Sequence, residues 1–504
     1  MRRKLEAFGW TLRIRTWLGS QYNRRPSAFL GLACGAAFTV FLSYSILRHL
    51  ALQTTYFDLG LYASSFWKTT HGYDSWASLM FPSTVGHISH FSPLLGPIAL
   101  IYSLIPDPVT LLVIQSVAIV SSVIPLYYLA LRESGRYGLS LAIAGLLLVN
   151  PALLGIVRYD FHVEAFLPLF IFSLYYAYRS GKSRTYYLSL ALLLSTIEYA
   201  AVLGLAVALS IWLEKRTLDR KILVATVSSA ALVALLVASN TGALAFLNWP
   251  ANWFTRQLYG GSNVGRAQDY VQPFLGLLPT LSAFQHDIGP KLFYLLVVFA
   301  PAGLTPLRSP QRILPALPWT VVVLASQRST FYNLGFQYAA FLLPFVYVSA
   351  IPFLSTLYKP GRFLRFVGLG FIIIVVLSAL VFGSPVSGQP WPVPSQLLGC
   401  MAQVRSTLPG NATLLTQNDL FPQLSGFPYA TINSTLQNPP QYILVDVKSA
   451  WYNWTDVPLG YPVSMRQQVG ALLNNTGYTL TTDYRGLRLY RISSTTLPTW
   501  LNDC

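Results

Sequence analysis

The sequence predicts an α-helical polytopic membrane domain of about eleven spans with a small C-terminal α/β domain outside the membrane. Three observations carry this prediction. Hydrophobic residues make up 53% of the 504-residue chain and charged residues 10%, where a soluble domain carries roughly a quarter charged. The Lys and Arg behind the formal charge of +17 fall in short clusters between apolar runs, where the positive-inside rule places them, so they report topology and argue for no nucleic-acid partner. The apolar runs stop near residue 383, and 384–504 carry strand-like runs and Asn-x-Ser/Thr triplets instead.

Residues 1–26 are basic (Arg2, Arg3, Lys4, Arg13, Arg15, Arg24, Arg25) and show no small-residue cleavage site after a short apolar core. They read as a retained cytoplasmic leader. The membrane domain follows over 27–383, beginning with a span from Ala28 to Leu50 that leads into a long outer loop, 53–108. The loop opens with Thr55 to Gly72, TYFDLGLYASSFWKTTHG, whose aromatic and small residues suit an interfacial helix lying flat at the headgroup level. Asp58 at its head is expected in a partly dry pocket open to lipid, where desolvation raises a carboxylate's basicity and its pull on a cation. The plainer reading is a helix cap. Phe91 to Ile105 is apolar but short, and is expected to dip into the membrane without crossing.

The next span, Val109 to Leu131, runs inward to Arg132 and Arg136, and Gly138 to Ile156 runs outward to the compact run Arg158 to Glu164. Ala165 to Tyr178 returns to Arg179, Lys182 and Arg184. Thr185 to Leu213 lies between two basic clusters that both belong inside, which predicts a hairpin of two short helices with its apex near Ser195 to Tyr199. That places Glu198 at the same outer rim as Asp58. Leu223 to Phe246 exits into the loop Asn248 to Pro290, which holds Arg256, and loops of such length are usually functional. Leu292 to Leu307 runs inward to Arg308 and Arg312, Leu314 to Ser326 outward to a turn with Arg328 and Tyr338, a further span inward to Lys359, and Phe366 to Phe382 outward. With the basic N-terminus in the cytoplasm, an odd number of spans puts the tail outside, in a multi-pass plasma-membrane protein.

The tail, 384–504, opens with a Pro-rich linker (Pro385, Pro390, Pro392, Pro394). Its triplets at Asn411, Asn433, Asn453 and Asn474 are glycosylation acceptors useful only outside the cytoplasm. Strands are expected at Ala412 to Thr416, at Tyr442 to Val447, and as a pair over Tyr478 to Ile492 turning at Tyr484 to Gly486. Of the three cysteines, Cys34 lies in the first span, while Cys400 and Cys504 lie in the tail, where a disulfide is allowed by compartment and would clip both ends of the domain.

Ionisable residues at membrane level are expensive, so each is a functional candidate. In this topology Asp58, His87, His90, Asp160, His162, Glu164 and Glu198 converge on the outer rim. His87 and His90 are three apart, and Asp160, His162 and Glu164 alternate, spacings that suit a divalent cation such as Mg2+ or Mn2+. The competing reading is hydrogen bonding within the bundle, and for Glu198 pairing with Arg158 or Arg328.

The ordered motifs FDLGLY, GHISHFSPLL, IYSLIPDP, PLYYLALRESGR, NPALLG, RYDFHVEAFLPL, STIEYA, ALPW and FQYAAFLLPF, with LLTQNDLFPQLS and YILVDV in the tail, cover nearly the whole chain. They resemble the membrane family catalogued as domain of unknown function 2079, found in archaea and bacteria, which is similar in turn to the GT-C membrane glycosyltransferases. The resemblance implies a catalytic acid in the first outer loop, here Asp58, short broken helices in mid-chain, and a polyprenyl-phosphate sugar donor. The chain departs from the family where Ile197, Glu198 and Tyr199 replace a usual Lys-Glu-Asp, and where Gln337 precedes Tyr338 in place of a His.

The expected function is therefore transfer of a sugar from a polyprenyl-phosphate carrier in the lipid to a glycan or protein acceptor on the outer side. Asp58 would act as base with Glu198 in the catalytic set. Arg158, Arg256, Arg328 and Tyr338 would hold the donor, Arg through forked contacts to phosphate. His87, His90, Asp160 and His162 would order the pocket or bind the cation, and the tail would bind acceptor or act as a lid. A transporter or flippase is the rival, against which stand the lack of paired Gly/Pro-broken segments in two matching halves and the size of the tail. A scaffold that only anchors the tail has no use for so many acids and histidines at one rim.

Overall fold

The computed structural model describes residues 26–80, 90–216, 220–241, 284–303, 305–326, 329–357, 391–433, 438–455 and 463–492. It is mostly helical, with a small sheet near the C-terminus. The helices begin and end where local chemistry dictates. Asp107 accepts a hydrogen bond from the Val109 amide and Pro108 occupies the first turn, which starts the helix Pro108–Ser121. The chain continues through Val123–Ser134 until Gly135, at φ 66°, closes it in the left-handed region that glycine adopts without cost. Tyr137–Leu148 and Pro151–Arg158 meet at a 47° bend, where Pro151 removes a helical donor and Asn150 caps the second piece through the Ala152 amide.

The expected hairpin is present as Ser183–Leu194 and Ala200–Lys215, which pack on each other. The count of eleven spans is not reached by helix length. Among the described residues two helices, Ser27–Leu50 and Pro108–Ser134, are long and apolar enough to cross a membrane, or three if the bent pair is one span. Leu167–Arg179 has only 13 residues, and at 1.5 Å per residue such a helix covers about 20 Å of a hydrocarbon core of about 30 Å. Leu95–Tyr102, with 8 residues, is shorter still. The expected span Phe366 to Phe382 lies outside the described residues.

The two ends of the bundle differ in chemistry. At one, Arg312 pairs with Glu133 at 2.7 Å and Glu214 at 2.8 Å, and Arg179 bridges the same two acids. Four helical segments are thus pinned by one network. The other end gathers 48–62, 90–95, 158–166, 195–199 and 337–341.

The tail is a five-stranded sheet of β1 (Leu414–Thr416), β2 (Ala430–Thr431), β3 (Tyr442–Asp446), β4 (Tyr478–Tyr484) and β5 (Leu487–Ile492), in the order β2-β1-β3-β5-β4. The first three strands are parallel, and β5 runs antiparallel to both neighbours. Arg485 and Gly486 both have positive φ, as a tight β4–β5 hairpin requires. A reciprocal capping box between Ser464 and Gln467 starts the helix Met465–Asn475. The tail core, built on Val404, Leu414, Phe421 and Leu444, also takes in Leu52, with Tyr56 and Phe57 packed against it.

That packing corrects the interfacial reading of Thr55 to Gly72. Leu59 and Phe66 are fully buried and Tyr62 nearly so, because the tail covers one face of the segment and the bundle the other. Tyr56 meets Phe421 edge to face at 4.6 Å, Phe57 meets Trp454 at 5.5 Å, and the Tyr56 amide donates to Asn418 Oδ1 at 2.7 Å.

Candidate functional site

Asp58 sits in a single π-turn, Tyr56–Gly60, closed by a bond from the Gly60 amide to the Thr55 carbonyl at 3.0 Å. Such wide turns are concentrated at functional sites because the extra residue re-aims a side chain. Asp58 caps nothing: no side-chain cap bond exists at the start of either the π-turn or the helix Leu61–Thr70. Gly60 is needed for space, since a Cβ there would meet Phe421 Cδ1 at 2.9 Å and the Thr55 carbonyl oxygen at 3.3 Å.

The Asp58 carboxylate accepts from two donors, His162 Nε2 at 2.7 Å and the Tyr159 hydroxyl at 2.6 Å. His162 donates its other nitrogen, Nδ1, to the Asp160 carbonyl at 2.9 Å, and its amide donates to Gln115 Oε1 at 2.7 Å. Both ring nitrogens therefore face acceptors, which only the imidazolium satisfies. Burial alone would lower the His162 pKa, but the charge and hydrogen bond of Asp58 outweigh it and raise it to about 9. Burial pushes Asp58 up in turn, and His162 and Tyr159 bring it below the ordinary carboxylate value. The pair is ionised at neutral pH.

Asp160, two residues before His162, does not face it. Its Oδ1 pairs with Arg48 at 2.7 Å, and its Oδ2 accepts from the Thr55 amide and hydroxyl at 2.7 and 2.8 Å. Glu198 lies at the hairpin apex, as expected. It accepts from His90 Nδ1 at 2.7 Å and the Phe91 amide at 2.9 Å. Ser92 and Leu94 bond to the same apex, so Glu198 fastens the loop to the hairpin.

Asp160, His162 and His90 are each committed to a different protein partner, His87 lies outside the described residues, and among the described residues no group of three or more His, Cys, Asp or Glu side chains is placed to hold a metal ion. The spacing does not bring these side chains to one point, because Asp160 is drawn to Arg48 and His162 to Asp58, while Glu164 sits in the short helical turn Val163–Phe166 rather than in an extended run.

Two acceptors at the site are buried and lack a hydrogen-bond partner: Glu164 Oε2 and Gln337 Oε1. The short helical turns that carry them, Val163–Phe166 and Gln337–Phe341, pack together. Tyr338 stacks on Trp319 at 5.6 Å and stands edge-on to Phe331 at 4.6 Å.

Two cavities flank the site. An apolar groove of about 260 Å3 runs between Val40, Phe41, Tyr44, Leu154, Val157 and Trp391, with Arg158 at its edge. Arg158 Nε donates to the Tyr44 hydroxyl at 3.1 Å, and Tyr44 meets Trp391 edge to face at 5.5 Å. The other cavity, about 450 Å3, lies where the first helix meets the tail and is lined by Arg48, Gln53, Asp419, Asp446, Ser449 and Trp451 among others. Its tail wall adjoins the carboxyl ends of parallel strands β1 and β3, where open α/β sheets bind ligands.

Arg256, Arg328 and Cys504 lie outside the described residues. Cys400 is buried in the tail core. Asn411, Asn433, Asn453 and Asn474 are all exposed on the tail.

Sequence reasoning missed Arg48, Thr55, Gln115 and Tyr159. Arg48 had a legible signal, since a basic residue at the exit end of the first span runs against the positive-inside pattern. Gln115 had another, a lone amide within an apolar span.

The profile of a family described as predicted membrane protein (DUF2079) matches residues 48–485. No curated protein matches the chain.

Proposed function

The chain belongs to the DUF2079 family of predicted membrane proteins, and from that premise we propose that it transfers a sugar from a polyprenyl-phosphate carrier to an acceptor outside the membrane. The observation that carries the reading is an ionised carboxylate, Asp58, held by His162 and Tyr159 and reached along the chain from the arginine of an apolar groove. In the proposed step the acceptor hydroxyl oxygen attacks the anomeric carbon and its proton passes to Asp58. The bond from that carbon to phosphate oxygen breaks, and the phosphate leaves with the electron pair. Each Asp58 oxygen accepts one bond from the protein and keeps a lone pair for that proton.

Arg158 supports the donor half. It adjoins Tyr159, which touches Asp58, and it edges a groove whose apolar walls suit a prenyl chain and whose Tyr44 and Trp391 suit the membrane interface. A guanidinium there would hold the departing phosphate. The cavity at the tail seam supports the acceptor half, and Arg48 belongs to both its wall and the Asp160 pair. In this reading Glu198 positions the loop through His90 rather than meeting substrate, and no step passes through a metal. The N-terminus lies inside and the tail outside, where its four exposed asparagines could be glycosylated and Cys400 could pair with Cys504.

The test is sugar transfer by the purified protein in lipid, supplied with polyprenyl-phosphate sugars and native membrane acceptors. Asp58→Asn is expected to lower the rate by about 10²- to 10⁴-fold, the usual worth of a general base, while keeping its fold. Wild-type protein that transfers no sugar but moves lipid or solute across the bilayer would sink the reading in favour of a transporter.

A further inference from the structure

Buried polar atoms in folded proteins nearly always find a partner, and one left without costs the protein stability. Glu164 is 6% exposed and Gln337 5% exposed, yet Glu164 Oε2 and Gln337 Oε1 have none. Both are acceptors, they sit on turns packed against each other, and those turns adjoin the Asp58 site. Tyrosines lie near them: Tyr338 follows Gln337 in the chain, Glu164 and Tyr338 both interact electrostatically with Tyr62 and Tyr199, and Tyr62 stands edge-on to Phe161 at 5.1 Å beside His162. Glu164 interacts electrostatically with His162 and His90, yet among the described residues it forms no ion pair with either, and the two acceptor atoms offer an anionic ligand group no donor. What suits the arrangement is a ligand that brings several hydroxyl donors on a ring with apolar C–H faces.

We infer that Glu164 and Gln337 form the hydroxyl-reading floor of the subsite for the transferred sugar, each accepting a hydrogen bond from a ring hydroxyl while the tyrosines cover the ring. This inference rests on the glycosyl-transfer reading for the identity of the ligand, but its test does not need turnover. The donor phosphate would lie at Arg158, so the sugar and phosphate contacts fall on different residues and can be separated.

The experiment measures binding of undecaprenyl phosphate, bare or carrying glucose or mannose, to the full-length protein in nanodiscs. Wild type is expected to bind at least one glycosylated lipid about tenfold or more tightly than the bare lipid, as two hydrogen bonds to buried acceptors allow. Glu164→Gln and Gln337→Met are expected to remove most of that difference and to leave binding of the bare lipid unchanged. Unfolding supplies the second readout. Because Glu164 Oε2 has no partner in the free protein, Glu164→Met is expected to keep or raise the thermal midpoint while losing the sugar-dependent affinity, whereas a structural role would lower the midpoint. Equal wild-type affinity for bare and glycosylated lipids, or variants that keep the full difference, would overturn the inference. If sugar-dependent binding is lost as expected but wild type transfers no sugar, the subsite stands and the transferase reading falls.

Discussion

His162 decides the charge state of the site. Its two nitrogens face a carboxylate and a carbonyl, so the cation is the form that makes both bonds. The unfolded pKa is about 6.5 and the folded value about 9, a raised value. The stability it contributes is therefore fully present below about 6.5 and is lost as pH rises through about 9. Asp58 carries the opposite sign: its depressed pKa contributes stability above the ordinary carboxylate range that disappears as pH falls through the folded value. Denaturant unfolding as a function of pH should show an alkaline decline near 9 in wild type that is absent in His162→Gln. A decline of equal size in both proteins would mean the pair does not set it. Arg48 works beside this pair: its partner Asp160 is wholly buried, and a buried carboxylate tolerates its setting only with such a partner and the two Thr55 donors.

At the scale of the element, the π-turn Tyr56–Gly60 joins the membrane bundle to the tail. Its wide bond re-aims Asp58 toward His162 and lets Gly60 pass beneath Phe421 and Pro422. Gly60→Ala would place a methyl 2.9 Å from Phe421 Cδ1 and 3.3 Å from a backbone oxygen. Overpacking of this kind costs about 1–3 kcal/mol. The expected result is a lower unfolding midpoint together with weaker transfer, since Asp58 is two residues away. A midpoint equal to wild type would show that the ring moves aside freely. The hairpin apex acts similarly on the other side, because Glu198 and the Thr196 and Ser195 carbonyls hold His90 to Leu94 in place.

Across the whole molecule, bundle and tail share one seam. Leu52 adopts φ 57°, a conformation that costs a non-glycine residue about 1–2 kcal/mol, and its burial in the tail core offsets that cost. The Gln423 side chain bonds the His49 ring and carbonyl, and the Ser395 amide bonds the Leu50 carbonyl. Phe421→Ala should therefore act at a distance. Loss of a buried phenyl costs about 3–5 kcal/mol, and hydrogen exchange over Thr55 to Gly60 should quicken along with that of the tail. Unchanged exchange over Thr55 to Gly60 would show that the bundle alone orders the π-turn.

Composition and hydrophobic patterning along the chain determined the helical membrane character and the tail with its strands, the flanking basic clusters the hairpin at 185–213, and the ordered motifs the resemblance to the family. Each of these rests on patterns repeated along neighbouring residues, where propensity and burial act locally. The convergence of Asp58, His90, Asp160, His162 and Glu198 on one end was also legible, from span direction and loop charge. Which of them touch was decided by tertiary structure alone. His162 with Asp58, Asp160 with Arg48, and Glu198 with His90 are pairings between residues far apart in the chain, fixed by helix rotation and by the single turn that aims each side chain. A divalent site and these ion pairs draw on the same residue types at the same spacing. Only the packing of the turns, and the tail resting on one of them, selected the pairs and left Glu164 Oε2 and Gln337 Oε1 without hydrogen-bond partners among the described residues.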